Sequence, residues 1–265
     1  MPSRRRQTDL PRDGTPERAC TPVVRRRRLH DRRLDLDVEG AGLNAPFRVL
    51  GALCVVGAFT GAGCAADPPS SVVGIVVDGC GSVRTTGSGV VVDDDLVLTS
   101  AHTLRGATSV VVEAGRERRE ASVVGFDPDL DLAYLRADLA GIRPTGIVRA
   151  DDGEPGFDRA RAWAVRDGTV VEIDVDVVRA IRLETEDIYV EGATVRPAFE
   201  LRATLEPGDS GGPILTGDGV VGVLWARSTR NSDVAYAIDA ARGTSRLDAQ
   251  LVDADLGDVD LHRCD

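Results

Sequence analysis

Between residues 72 and 238 the chain is written in short valine-rich runs, each stopped by glycine or aspartate. This rhythm restricts the fold more than any other feature, because short apolar runs between turn formers are the pattern of an all-β barrel or sandwich. Gly89-Val90-Val91-Val92, then Asp93-Asp94-Asp95, then Leu96-Val97-Leu98 predicts a hairpin. Residues 109–112, 121–124 and 132–135 predict further strands. A second set is predicted at 162–165, 169–175, 188–190, 199–203, 213–215, 220–225 and 234–238. The stretch 141–156 carries two prolines and four glycines and reads as a connector between a first half, 72–140, and a second half, 157–241. A linker, 64–71, precedes them, and a tail, 242–265, follows, with residues 239–251 reading as a closing helix.

The segment Gly208-Asp209-Ser210-Gly211-Gly212-Pro213 holds a serine on a tight, glycine-built turn with backbone amides around it. A serine hydroxyl is a weak nucleophile, so acyl-transfer chemistry at such a turn also needs a base and a group that orients the base. The chain has three histidines; His30 lies in an arginine-rich leader and His262 in the tail, so His102 is the base expected in the core. It ends the run Leu96-Val97-Leu98-Thr99-Ser100-Ala101-His102, where a strand enters a small-residue turn. The orienting carboxylate is expected at Asp131, which opens Asp131-Leu132-Ala133-Tyr134-Leu135, with Asp127 and Asp129 close enough to be alternatives. The order is therefore His, Asp, Ser.

With these three motifs the chain resembles the trypsin-like (chymotrypsin-fold) serine proteases, whose triad runs in that order, unlike subtilisins and α/β-hydrolases. The resemblance covers roughly residues 72–241. Within the family it is similar to bacterial envelope members, especially mycobacterial periplasmic acid-resistance proteases, through Phe126-Asp127-Pro128-Asp129-Leu130-Asp131-Leu132-Ala133 and Gly222-Val223-Leu224-Trp225-Ala226-Arg227-Ser228. It implies two six-stranded antiparallel β-barrels with the active site in the cleft between them. It also implies a serine endopeptidase that needs no cofactor or metal and takes a polypeptide substrate. Ser210 is the implied nucleophile, His102 the base and Asp131 its orienter, with the amides of Gly208 and Ser210 forming the oxyanion hole. The primary pocket is implied at Thr204, Leu224, Trp225 and Ala226. Thr204, six residues before the serine, puts no carboxylate on the pocket floor, and Ala226 replaces the usual glycine at its mouth. Small or medium uncharged side chains are therefore expected at the cleavage site. Asp209, buried beside the nucleophile, needs a cation, and Arg166, Arg202 and Arg227 are the candidates.

All 32 basic residues are arginines. Residues 1–48 hold 12 of them against 7 acids, and residues 49–265 hold 20 against 36. The core is thus strongly acidic, which repels phosphate backbones and argues against a nucleic-acid partner. Residues 1–47 offer no periodic apolar face and read as a disordered leader or a start placed too early. Residues 48–63 read as a signal peptide, one arginine followed by a short apolar stretch. Gly61-Ala62-Gly63-Cys64 resembles a lipobox, although leucine is usual where Gly61 stands. Cys64 is the expected lipidation site, giving a membrane-anchored envelope lipoprotein, with a cleaved, secreted form as the alternative. Cys80 and Cys264 remain as one expected disulfide, since an exported chain meets an oxidising compartment. A monomer is expected. The length after residue 241 leaves no room for a PDZ domain.

Two other classes stand against an enzyme of this kind. One is a catalytically silent binding module that keeps the barrels. The other is a metal-dependent hydrolase, for which the chain offers no paired-histidine motif or cysteine cluster.

Overall fold

The computed structural model describes residues 68–80, 83–148, 157, 159–252 and 261. Signal peptide, Cys64 and Cys264 lie outside them.

Six strands form the first half: β1 (Val72–Gly79), β2 (Arg84–Asp93), β3 (Leu96–Thr99), β4 (Ala107–Ala114), β5 (Glu117–Asp127) and β6 (Leu132–Ala137). They close into an antiparallel barrel in the order β1-β2-β3-β6-β5-β4. The valine runs follow from burial on both faces. Val73, Ile75, Val77, Val97 and Leu135 fill the barrel interior, whereas Val72, Val90, Leu98 and Leu132 point outward into a second core shared with Trp163, Val220, Val223 and Ile238 of the other half. A strand with one wet face would alternate apolar and polar residues; these do not.

The second half contains β7 (Arg161–Arg166), β8 (Thr169–Ile173), β9 (Asp176–Glu186), β10 (Ala193–Arg202), β11 (Pro213–Thr216), β12 (Gly219–Arg227) and β13 (Val234–Asp239). They form one sheet in the order β8-β7-β11-β12-β13-β10-β9. Between β8 and β9 the extended run breaks at Asp174-Val175. Its first part, β8, pairs with β7; its second part, β9, pairs with β10 at the opposite edge. The strand expected at 188–190 is instead the turn between β9 and β10, where Asp187 Oδ1 accepts from Tyr189 N and Glu191 N. The chain then closes with α1 (Ala240–Gly243), whose cap Asp239 accepts from Arg242 N, and α2 (Ser245–Val252). Helix α2 lies on β5, where the Gln250 side chain accepts from Phe126 N and donates to Phe126 O. Among the described residues no helix is long and apolar enough to cross a membrane.

Candidate active site

His102 sits in a short 3-10 turn, Ala101–Leu104, that leaves β3. Asp131 opens β6 from a left-handed backbone conformation (φ 59°), a state an aspartate tolerates better than a β-branched residue would. That twist aims both carboxylate oxygens at one neighbour. Asp131 Oδ1 accepts from the His102 backbone N at 2.7 Å, and Oδ2 accepts from His102 Nδ1–H at 2.9 Å. The Asp131 carbonyl holds Ala101 N as well. Nδ1 is thereby fixed as the protonated ring nitrogen, leaving Nε2 as the basic one. Burial alone would push the Asp131 carboxyl up, but hydrogen bonds and charge from His102, and charge from Arg196, hold it below the usual aspartate range.

The neighbouring aspartates do different work. Asp127 Oδ1 accepts from Asp129 N and Leu130 N, building the turn that delivers Asp131. Asp129 pairs with Arg246 of α2 at 3.1 Å. Of the three, Asp131 is the one on the imidazole.

Ser210 begins the glycine turn between β10 and β11. Its carbonyl accepts from Ser88 N at 2.8 Å, so the first barrel holds the turn in place. Gly211 has φ 86°, and a Cβ there would meet Ser88 O at 2.1 Å. Nothing larger than glycine fits without moving the serine. Gly208 has φ 99°, and its carbonyl is taken by Ser88 Oγ–H at 2.9 Å. Among the described residues neither Gly208 N nor Ser210 N donates a hydrogen bond, so both amides are open to an acceptor. Ser210 Oγ–H donates to Trp225 O at 3.4 Å, and no hydrogen bond joins it to His102.

Asp209 is wholly buried and finds its cation in Arg166, one of the three arginines expected. Arg166 Nε and Nη2 grip its two oxygens at 2.9 and 2.8 Å, and Nη1 reaches Glu206 at 2.8 Å. The Asp209 hydrogen bond raises the guanidinium above its ordinary value. The other two candidates lie elsewhere: Arg202 pairs with Asp176, and Arg227 makes no ion pair among the described residues.

The family model for the trypsin-like peptidase domain matches residues 87–223, just over half of the chain. The chain belongs to the trypsin-like peptidase family. Serine protease Rv3671c of Mycobacterium tuberculosis is 32% identical over 164 residues, covering 61% of this chain and 41% of that protein. A DegP-like probable periplasmic serine endoprotease of Halomonas elongata is 29% identical, covering 58% of this chain and 33% of its own length. The chain thus spans about two fifths or less of these curated relatives. The crystal structure of the active form of Rv3671c superposes with a TM-score of 0.61 at 28% identity, covering 68% of this chain and 82% of that one.

Against the trypsin-like frame, two expected pocket residues move. A cavity of about 200 Å³ beside Ser210 is lined by Leu205, Glu206, Pro207, Asp209, Trp225, Ala226 and Arg227. Thr204 is not among them. Ala203 and Leu205 face the core, so alternation turns Thr204 out toward a separate cavity with Arg166, Glu172 and Asp233. Leu224 is fully buried, and its N and O are spent on Gly212 O and Gly211 N at 2.7 and 2.8 Å. The strand edge facing Ser210 is therefore Trp225-Ala226-Arg227, one residue later than the sequence suggested, past an irregularity in the β12–β13 ladder between Leu224 and Ala226. A third cavity, of about 420 Å³, opens on the other side of Gly208 between Thr86, Gly87 and Val165.

Sequence reasoning missed Arg196. It is 1% exposed in mid-β10, and a lone arginine in a strand carries no signal that its partners are on a distant loop. Among the described residues no three histidine, cysteine, aspartate or glutamate side chains gather as metal ligands would.

Proposed function

We propose that this chain is a serine endopeptidase acting outside the cytoplasmic membrane. Ser210 attacks the scissile carbonyl while His102 Nε2 takes its proton and later returns it to the leaving amine; Asp131 holds the imidazole and stabilises its cation. The amides of Gly208 and Ser210 receive the oxyanion, each such donor being worth on the order of 100- to 1000-fold in rate. The observation that carries this reading is the two-point grip of buried Asp131 on His102 N and Nδ1, which orients the ring and leaves Nε2 as its basic nitrogen. The lack of a Ser210–His102 hydrogen bond is compatible with it, because such bonds often tighten only when substrate arrives.

The substrate is a polypeptide with a small or medium uncharged side chain in the cavity beside Ser210, whose apolar wall is Leu205, Pro207 and Ala226. Export through residues 48–63, lipid attachment at Cys64, a monomeric state and a Cys80–Cys264 disulfide belong to the same reading. Relatives carrying periplasmic names support the location. For the disulfide, the support is that the tail returns to the side of Cys80, Leu261 O accepting from Gly106 N while Gly106 O accepts from Cys80 N.

A second reading, a latent or silent barrel, is favoured by one observation: Ser210 Oγ bonds Trp225 O rather than the base. Labelling with a fluorophosphonate probe separates the two. The enzyme labels at Ser210 and the Ser210→Ala protein does not; a folded wild type that stays unlabelled favours the latent barrel.

A further inference from the structure

The Asp131 carboxylate has one more donor than the His102 pair. Trp225 Nε1–H reaches Asp131 Oδ2 at 2.6 Å, the same oxygen that accepts from His102 Nδ1. The Trp225 carbonyl accepts from Ser210 Oγ. One residue therefore touches the acid with its side chain and the serine with its backbone, across the line between the two halves. Trp225 is held in turn by Arg196, whose guanidinium lies over the indole at 4.7 Å and 3.9 Å from Asp131 Oδ2.

Burying an arginine is costly unless its donors are used. Arg196 uses them on the loop that carries Asp131 and on the end of β9. Its Nε donates to Asp129 O at 2.6 Å, and its Nη2 donates to Glu186 O at 3.1 Å and Pro128 O at 3.4 Å. An apolar residue would fill the same space, but it would neither anchor this loop nor cap the indole. Leu224, the preceding residue, has no donor to offer Asp131.

We propose that Trp225, braced by Arg196, is a positioning residue for the hydrolysis: its indole N–H fixes the Asp131 oxygen that orients His102. This rests on the endopeptidase reading of His102 and Asp131. The charged groups around that oxygen are His102 beyond β3, Arg196 on β10, and Asp127 and Asp129 on the same loop, both paired with Arg246 of α2; Asp187, in the β9–β10 turn, also acts on Arg196. Only Trp225 offers Asp131 a neutral donor from the strand that faces Ser210. Removing it leaves more negative charge facing the imidazole, so the cationic form of the ring persists to higher pH.

The test uses the full chain and two readouts. In Trp225→Phe the aromatic body stays and the donor goes. The expected result is a kcat lower by on the order of tenfold, the equivalent of one hydrogen bond of about 1.4 kcal/mol, with KM little changed and the acid limb of kcat/KM moved to higher pH. Arg196→Met shifts the profile the same way. A merely structural role would lower the melting temperature without moving the limb. The second readout needs no activity. The chain has two tryptophans, so an indole 15N–1H spectrum has two resonances, told apart in Trp163→Phe, and Asp131→Asn moves that of Trp225 upfield. An unshifted pH profile in an active Trp225→Phe protein, or an indole resonance indifferent to Asp131→Asn, overturns the proposal. A wild type that cleaves nothing removes the endopeptidase reading instead, and the indole shift then reports only whether the contact exists.

Discussion

Single residues in this site are committed twice, and the commitments rank their importance. Arg166 neutralises Asp209 with two hydrogen bonds while Asp209 Oδ2 also accepts from Glu206 N at 2.7 Å, so one ion pair fixes both ends of the loop that carries Ser210. Removing one partner of a buried pair leaves the other charge uncompensated and costs about 3–5 kcal/mol. Arg166 is itself part exposed, which places the loss toward the lower figure. Arg166→Met should therefore lower the melting temperature and also reduce fluorophosphonate labelling at Ser210, because Asp209 turns away and takes the Gly208 and Ser210 amides with it. A variant that melts earlier yet labels at the wild-type rate would make Arg166 a stability residue only. The sequence narrowed this cation to three arginines and could go no further, since choosing among them needs the register of β7 against the Ser210 turn. His102, Asp131 and Ser210 could be named as candidates because each is announced by its own local pattern. Arg196 and the indole of Trp225 were not, because the bonds that tie them to the Asp131 loop, Arg196 to Asp129 O and the indole to Asp131, span 67 and 94 residues of chain.

Among the elements, legibility followed burial. The β2–β3 hairpin and β12 were plain because both of their faces are apolar. Strand β9 was overlooked because Asp176–Glu186 is an edge strand with mostly polar, half-exposed side chains, whereas Ile188 and Tyr189, read as strand, are a turn packed on the first barrel's core. The cleft-facing strand shifted by one residue for a reason no pattern encodes: Leu224 spends its backbone on Gly211 and Gly212. That shift has a consequence for specificity. It puts Arg227, exposed and without a carboxylate partner among the described residues, in the wall of the cavity, while Glu206 in the same wall is already paired with Arg166. A peptide library should show uncharged residues at the cleavage site, and acidic residues nearby should help cleavage. Arg227→Glu should reverse the second preference by a few-fold, the scale of an exposed charge pair of about 0.2–1 kcal/mol. Strong cleavage after arginine would contradict the uncharged cavity.

At the scale of the molecule, the chain's ends matter as much as its cleft. The first barrel is closed, but the tail packs Leu261 into its core and returns to Gly106 beside Cys80. A Cys80–Cys264 bond would lock that return. Because the loop it closes holds nearly the whole folded part, the chain-entropy model assigns it about 5 kcal/mol, less any strain. For a folded part of this size each kcal/mol moves the melting temperature by about 2–4 °C, so reduction should lower it by roughly 10 °C or more. The Cys80→Ser, Cys264→Ser protein should melt where the reduced wild type does and ignore reductant. If oxidised and reduced wild type melt together, the tail is held by Leu261 and its backbone bonds alone. If instead the double variant melts with the reduced wild type while its Ser210 labelling stays at the wild-type rate, the bond stabilises the barrel without reporting to the cleft. That outcome is expected because the hydrogen bond described for the end of the tail, from Gly106 N to Leu261 O, lies at the turn before β4, whereas the loop from Asp127 to Asp131 is held by Arg246 of α2 and by Arg196.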